Sequence, residues 1–278
     1  MLAIPPEQQH AVHRLYQYRK SISTKPFAAR GMKLIRCPWC LLGEIFCTCE
    51  HRQYLNTSAS FMLIMYDDEV LKPTNSGRLI ADTVPNTSAF LWSRKEPNKQ
   101  MIEMINDAQY QPLLIFPAQY AQEGQQVVEH IDQLSVCKQS NIDNAVNAVN
   151  ASLAHQADKP KKIPLLILLD GSWRQAIKMF RKSPYLHDLP LLSFNPETLA
   201  TYELRKGSHD FQLSTAEVAA LAFSAIDEPK NGEALSSWFE LFVESSLLGR
   251  NRRLKEDIVP IENYIDKFKQ AMIIAKEG

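Results

Sequence analysis

Four apolar runs of strand length punctuate the chain: FMLIMY at 61–66, PLLIF at 112–116, IPLLILL at 163–169 and LPLLSF at 189–194. None alternates polar with apolar residues, a pattern that predicts strands covered on both faces, as in a parallel sheet. Helical periodicity occupies segments between and after them, at 98–109, 172–182, 215–226, 234–248 and 260–275. Strand and helix in alternation predict an α/β domain over residues 61–278, a mostly parallel sheet with flanking helices. Two stretches break the rhythm. Residues 1–60 are basic and hold four of the five cysteines, and are expected to form a small appended module. Residues 139–162, QSNIDNAVNAVNASLAHQADKPKK, are rich in Asn, Ala and Gln and are expected to be a surface insertion or weak helix leading to a linker.

Composition changes this picture little. At 278 residues and 45% hydrophobic content, the chain can build one large core with a small appendage. Lys and Arg balance Asp and Glu at 31 each, yet residues 1–60 carry eight cations (14, 19, 20, 25, 30, 33, 36, 52) against three acids (7, 44, 50). That local +5 could meet phosphates or be a solvated face. No run approaches the roughly 18 apolar residues of a membrane span. The start, MLAIPPEQQHAVHRLYQYRK, lacks the basic-then-apolar order of a secretory signal. A cytoplasmic protein with no membrane partner is the expectation.

The densest chemistry lies in RCPWCLLGEIFCTCEHR, where Cys37, Cys40, Cys47 and Cys49 fall within thirteen residues. Two close pairs on a short loop can bring four thiolates to one tetrahedral centre, the geometry of a structural zinc ion with no position left for catalytic water. Reduced buried thiols, disulfides or a redox pair are the alternatives. A cytosolic setting disfavours disulfides, and buried thiols seldom cluster this way.

Asp170 ends the third apolar run, and in open parallel sheets ligands collect beyond the carboxyl ends of strands. Asp170 or Ser172 could equally cap the helix that follows. Trp173, Ala176, Ile177 and Phe180 repeat at helical spacing, which places the indole on the apolar face. Arg174, Lys178 and Arg181 fall on the other face, by default a solvated one. In LKPTNSGRLIADT (71–83), Asn75, Ser76, Gly77 and Arg78 could offer N–H groups and a guanidinium to an anion, or form a plain turn. Ser214 and Glu217 have the spacing of a capping box before an Ala-rich helix, so both are explained without any function. Dinucleotide-binding glycines, Walker loops, His-Glu-x-x-His and Gly-x-Ser-x-Gly are all absent.

Taken in order, RCPWC…FCTC, PTNSGRL, LLIFPAQYA, LLDGSWRQAIKMF and LSTAEVAALAF resemble the DTW-domain family, from about residue 35 to 250. The family signature is Asp-x-Thr-Trp; here Ser172 stands in the Thr position, keeping the hydroxyl and losing the methyl. The resemblance implies a SPOUT-like, knotted α/β fold. It also implies a tRNA-uridine aminocarboxypropyltransferase, which moves the 3-amino-3-carboxypropyl group of S-adenosylmethionine to N3 of a tRNA uridine. On that reading Asp170, Ser172 and Trp173 are the catalytic candidates, with Asp170 a general base or an electrostatic anchor. Pro117, Leu213, Ser214 and Thr215 would contact the cofactor's adenosine and ribose, Trp173 would border its pocket, and Arg78 would receive its carboxylate or an RNA phosphate. The basic N-terminal segment and zinc module would grip tRNA, with no obligate protein partner. A SAM-dependent RNA methyltransferase and a non-catalytic, zinc-containing RNA-binding protein are the rival readings.

Overall fold

In a computed structural model of the chain, residues 9–25, 34–136, 162–195, 213–249 and 261–277 are described. The apolar runs become strands of one sheet: β1 (Ser60–Met65), β2 (Thr87–Leu91), β3 (Tyr110–Ile115), β4 (Val127–Val128), β5 (Ile163–Asp170) and β6 (Leu191–Leu192). Their order is β2-β1-β5-β3-β6-β4, and every pairing is parallel. The chain lays down β1, steps outward to β2, returns for β3, and only later fills the gap between β1 and β3 with β5. Loops leaving β5 and its neighbours therefore diverge at the carboxyl end, the setting in which α/β sheets open a crevice.

The helices are α1 (Ala11–Ser21), α2 (Gly77–Thr83), α3 (Lys99–Asn106), α4 (Gln133–Val136), α5 (Trp173–Arg181), α6 (Thr215–Ser224), α7 (Pro229–Leu248) and α8 (Ile261–Lys276). Strand pleating sorts the core into two layers. Phe61, Leu63, Met65, Leu166 and Leu168 face a cluster built with α2, α6, α7 and α8. Met62, Ile64, Leu165, Ile167 and Leu169 face the smaller layer under α3 and α5. Both faces of the sheet are thus covered, which is why the runs read as continuous apolar blocks. On the larger side α6 and α7 pack closely: a Cβ on Gly232 would lie 2.4 Å from the Ala220 carbonyl oxygen.

Three of the four runs have their strands where the pattern placed them, and the fourth shortens to β6. Segment 71–83 is more than a turn, since its second half is α2. All seven α2 residues are buried, Arg78 and Asp82 included, so the helix has no solvent-exposed face and its polar residues do not mark one. Cys37, Cys40, Leu42 and Leu55 join the core layer beneath α2. Residues 139–161 of the expected insertion, and Cys137, lie outside the described residues.

Candidate functional site

The last residue of β5 is Asp170, whose side chain is buried at 2% exposure. Two distant segments meet it. Asn75 Nδ2 donates to its Oδ2 at 2.7 Å, and Thr215 Oγ1 donates to its Oδ1 at 2.5 Å. Gly77, the first residue of α2, comes so close that a Cβ there would stand 2.6 Å from Oδ2. Any side chain at 77 would displace the carboxylate, so glycine is required for the approach rather than for a backbone angle. The turn suspected of meeting an anion does meet one: the protein's own carboxylate. Burial pushes the Asp170 carboxyl up to about 6; Thr215 draws it down, Glu69 pushes it up, and Asn75 and Lys72 draw it down again.

Around this knot the segment ends are locally fixed. Ser214 is the N-cap of α6 and forms the expected capping box, its N–H donating to Glu217 Oε2 at 2.9 Å. The next free N–H of that helix, on Ala216, donates to Ser76 Oγ at 3.4 Å, tying α6 to the start of α2. Ser172 is the N-cap of α5, and its N–H donates to Gln175 Oε1 at 2.8 Å. Leu213, Ser214 and Thr215 are all partly exposed, which leaves them accessible at the crevice.

Trp173 departs from the sequence expectation. Ala176, Met179 and Phe180 enter the core, but Trp173 in the first turn is 39% exposed. It overhangs the core edge, stacked on Phe116 at 5.7 Å and meeting Tyr120 edge-on. Phe116 directly precedes Pro117, and Ala118 N–H donates to Ser193 Oγ beyond β6. Trp173 and Pro117 therefore belong to one aromatic corner at the carboxyl ends of β3, β5 and β6.

Arg78 is a correction in placement. Its guanidinium is 1% exposed and points away from the crevice, Nη1 donating to the Cys40 carbonyl at 3.2 Å. It is not positioned for a cofactor carboxylate or an RNA phosphate. Burial lowers its pKa, while the charges of Asp82 and Cys40 oppose that. Asp82 itself is held by His10 Nε2 at 3.2 Å, Arg52 Nη1 at 3.5 Å and Trp238 Nε1 at 3.4 Å. His10, His13 and Asp82 lie close enough to share a cation. Two guanidinium groups already supply positive charge there, so the cluster acts as a buried network fastening α1.

Cys37, Cys40, Cys47 and Cys49 converge on one point, every sulfur within 4.8 Å of the others. The Cys37–Cys49 and Cys40–Cys47 separations are 3.8 and 3.9 Å. A zinc tetrahedron with Zn–S near 2.3 Å has S···S edges of about 3.8 Å, so the donor set fits that ion. The turn closes through Leu41 N–H to Cys37 O at 3.0 Å and Cys37 N–H to Leu42 O at 2.8 Å, with Leu41 left-handed at φ 60°. Hydrogen bonds from Cys40, Cys47 and Cys49 pull the Cys37 thiol far down, and the hydrogen bonds that Cys40 and Cys49 make to Cys37 and their other sulfur neighbours, with burial, push those two up. Sulfurs so packed cannot all ionise without a cation among them.

These features define a class: a parallel α/β protein with its polar site at the strand ends and a four-cysteine module against one sheet face. The chain belongs to the DTW-domain family, whose domain matches residues 34–247. No solved structure matches it. Among the described residues no helix is long and apolar enough to cross a membrane. Sequence reasoning had reached Asp170, Thr215 and the cysteines. It missed the contacts of Asn75 and Gly77 with Asp170, because these link positions 95 and 93 residues apart in the chain.

Proposed function

We propose that this chain is a cytoplasmic tRNA-uridine aminocarboxypropyltransferase with a SPOUT-like catalytic domain and a structural zinc ion on Cys37, Cys40, Cys47 and Cys49. The observation that carries the reading is a buried Asp170 bridging two loops at the end of the central strand, in a chain of the DTW-domain family. S-adenosylmethionine would supply an electrophilic carbon, its sulfonium leaving with the bonding electron pair as methylthioadenosine. Pro117, Trp173, Leu213, Ser214 and Thr215 would hold it. Arg78 takes no part in this pocket.

The residues of the chain then have distinct tasks. Asp170 is too deeply buried to touch the uridine; its charge reaches the crevice through the Thr215 hydroxyl. As N3 forms its bond to carbon it loses a proton, which Thr215 Oγ1 accepts while passing its own to Asp170 Oδ1. A carboxyl near pH 6 is ionised at neutral pH and is matched to that task. Ser172 fixes the start of α5, and the exposed Trp173 offers a face on which an extruded base can stack.

Purified protein incubated with unmodified tRNA and S-adenosylmethionine, followed by nucleoside mass spectrometry, tests the proposal. A uridine gaining an aminocarboxypropyl group is the expected product. A gain of one methyl would assign a methyltransferase, and no gain together with no cofactor binding would assign a non-catalytic RNA-binding protein.

A further inference from the structure

The N-terminal segment was the obvious candidate for gripping RNA, on charge alone. Among the described residues, four of its eight cations are already engaged by other parts of the chain. Arg14 Nη1 donates to the Gln9 carbonyl, Arg19 chelates Asp67 with two bonds of 2.7 Å, and Arg36 donates to the Leu41 carbonyl. Arg52 reaches Asp82 and lies over the Trp39 ring at 5.1 Å.

A different surface has charge to spare. Helix α5 presents Arg174, Lys178 and Arg181 along one side, continued by Lys182, and all four are exposed. Among the described residues none of them forms an ion pair with a carboxylate. With Trp173 and Ile177 they line an open concavity of about 530 Å³. Helix stability explains only part of this. Lys178 and Arg181 sit in the last turn, where cations favour the helix dipole, but Arg174 is in the first turn, where a cation opposes it.

Aromatic rings are interleaved with the charge. Trp173, backed by Phe116, is exposed at one end of the concavity. Lys178 is held against the Tyr66 hydroxyl at 3.1 Å and lies over the stacked rings of Tyr66 and Trp92. Trp92 Nε1 donates to Ser183 Oγ at 2.9 Å, anchoring beside the end of α5 a loop that carries Arg94 and Lys95, with Glu96 its one acid.

We infer that this face of α5 is the tRNA-docking surface, its cations taking backbone phosphates and Trp173 stacking a base next to the Asp170 end. The inference rests on the proposed tRNA reading and deepens it. Cations without carboxylate partners on an open face, with the exposed Trp173 indole at one end and the half-buried Tyr66 and Trp92 rings under Lys178, match a flexible single-stranded stretch of RNA. An anionic membrane would ask instead for a broad exposed apolar stripe beside the cations.

The test uses the full chain and a variant with Arg174→Gln, Lys178→Gln, Arg181→Gln and Lys182→Gln. Thermal melting checks the fold, calorimetry measures S-adenosylmethionine binding, and anisotropy measures affinity for labelled unmodified tRNA across a salt series. Expected are unchanged melting and cofactor binding, with tRNA affinity reduced about tenfold or more and a salt slope shallower by about one for each lost phosphate contact. Equal tRNA affinity and slope in the two proteins overturns the docking surface and leaves the tRNA reading standing. A parent chain that binds the cofactor but no tRNA overturns both. Loss of binding to phosphatidylserine vesicles without loss of tRNA binding would overturn the RNA assignment in favour of a membrane. Should the fourfold variant melt early, the pair Arg174→Gln and Lys182→Gln, at the exposed ends of the stripe, is read in the same assays.

Discussion

Replacing Asp170 by Asn separates the charge of the buried side chain from its shape. The carboxyl is raised from an ordinary 3.8 to about 6, so between those values the folded chain keeps a proton that the unfolded chain has lost. For an acid raised in this way, the contribution to stability is full below about pH 4, declines as pH rises to about 6, and is flat above that. A rise of about two pH units amounts to roughly 3 kcal/mol, the cost the ionised group imposes on the fold at neutral pH. Asn removes that cost. Its amide can turn its oxygen to Asn75 Nδ2 and an N–H to Thr215 Oγ1, so neither partner is stranded. The bonds from Asn75 and Thr215 are already contained in the raised value and are not counted again. Urea unfolding of parent and variant from pH 4 to 8 should show the variant gaining roughly 3 kcal/mol relative to the parent across the lower half of the range. Product formation should be lost at every pH. A stability difference that stays flat with pH, in a variant that still makes product, would refute both the buried charge and its proton-accepting role. Asp170→Ala is the poorer probe, since it strands the buried Asn75 amide in the interior at about 1–3 kcal/mol and removes the partner of the Thr215 hydroxyl.

Gly77→Ala drives a methyl into Asp170 Oδ2 and should cost about 1–3 kcal/mol in denaturant midpoint, with activity falling further than stability as Asn75 is pushed off the carboxylate. Thr215→Val removes the hydroxyl that links Asp170 to the crevice; kcat should fall about a hundredfold or more while Thr215→Ser restores it. Elemental analysis should find one zinc per chain. Cys37→Ser with Cys40→Ser, or chelation, should abolish that stoichiometry and lower the melting temperature, because the two thiols belong to the core. Ser172→Thr, which restores the family residue, should change stability by less than about 0.5 kcal/mol, since the side chain is exposed and the Gln175 bond is made by its backbone.

What was legible in the sequence follows from which interactions are local. β5 was visible because both of its faces are buried, leaving an unbroken apolar run, and the Ser214–Glu217 cap because its partners lie three residues apart. α2 was invisible for a different reason: Thr74, Asn75, Ser76 and Gly77 look like a turn, and in a short, wholly buried helix the polar residues, Arg78 and Asp82, do not mark a solvent face. β2 is five residues, mostly half-buried, and β4 has two, too short for any period to register, while β6 is the two-residue remnant of the run at 189–194. The position of Trp173 needed the tertiary structure, since helical spacing gives a direction around the axis but cannot say where the core ends. Arg78 was misplaced because Asn75 and Gly77 face Asp170 while the next side chain turns towards Cys40, a reversal fixed by the start of the helix.

That reversal constrains how the family can vary. Within four consecutive positions, 75–78, the chain braces the carboxylate on one side and places a buried cation beneath the cysteine turn on the other. A four-thiolate zinc centre carries two negative charges, and Arg78 is a buried positive charge beside them. A relative that discarded the cysteines would keep a buried guanidinium compensated only by Asp82 and the backbone carbonyl at position 40, one residue from the glycine packed on Asp170. Such a chain should therefore carry an uncharged residue at position 78 while keeping Asn75 and Gly77, so that loss of the metal leaves its mark inside the motif that braces Asp170.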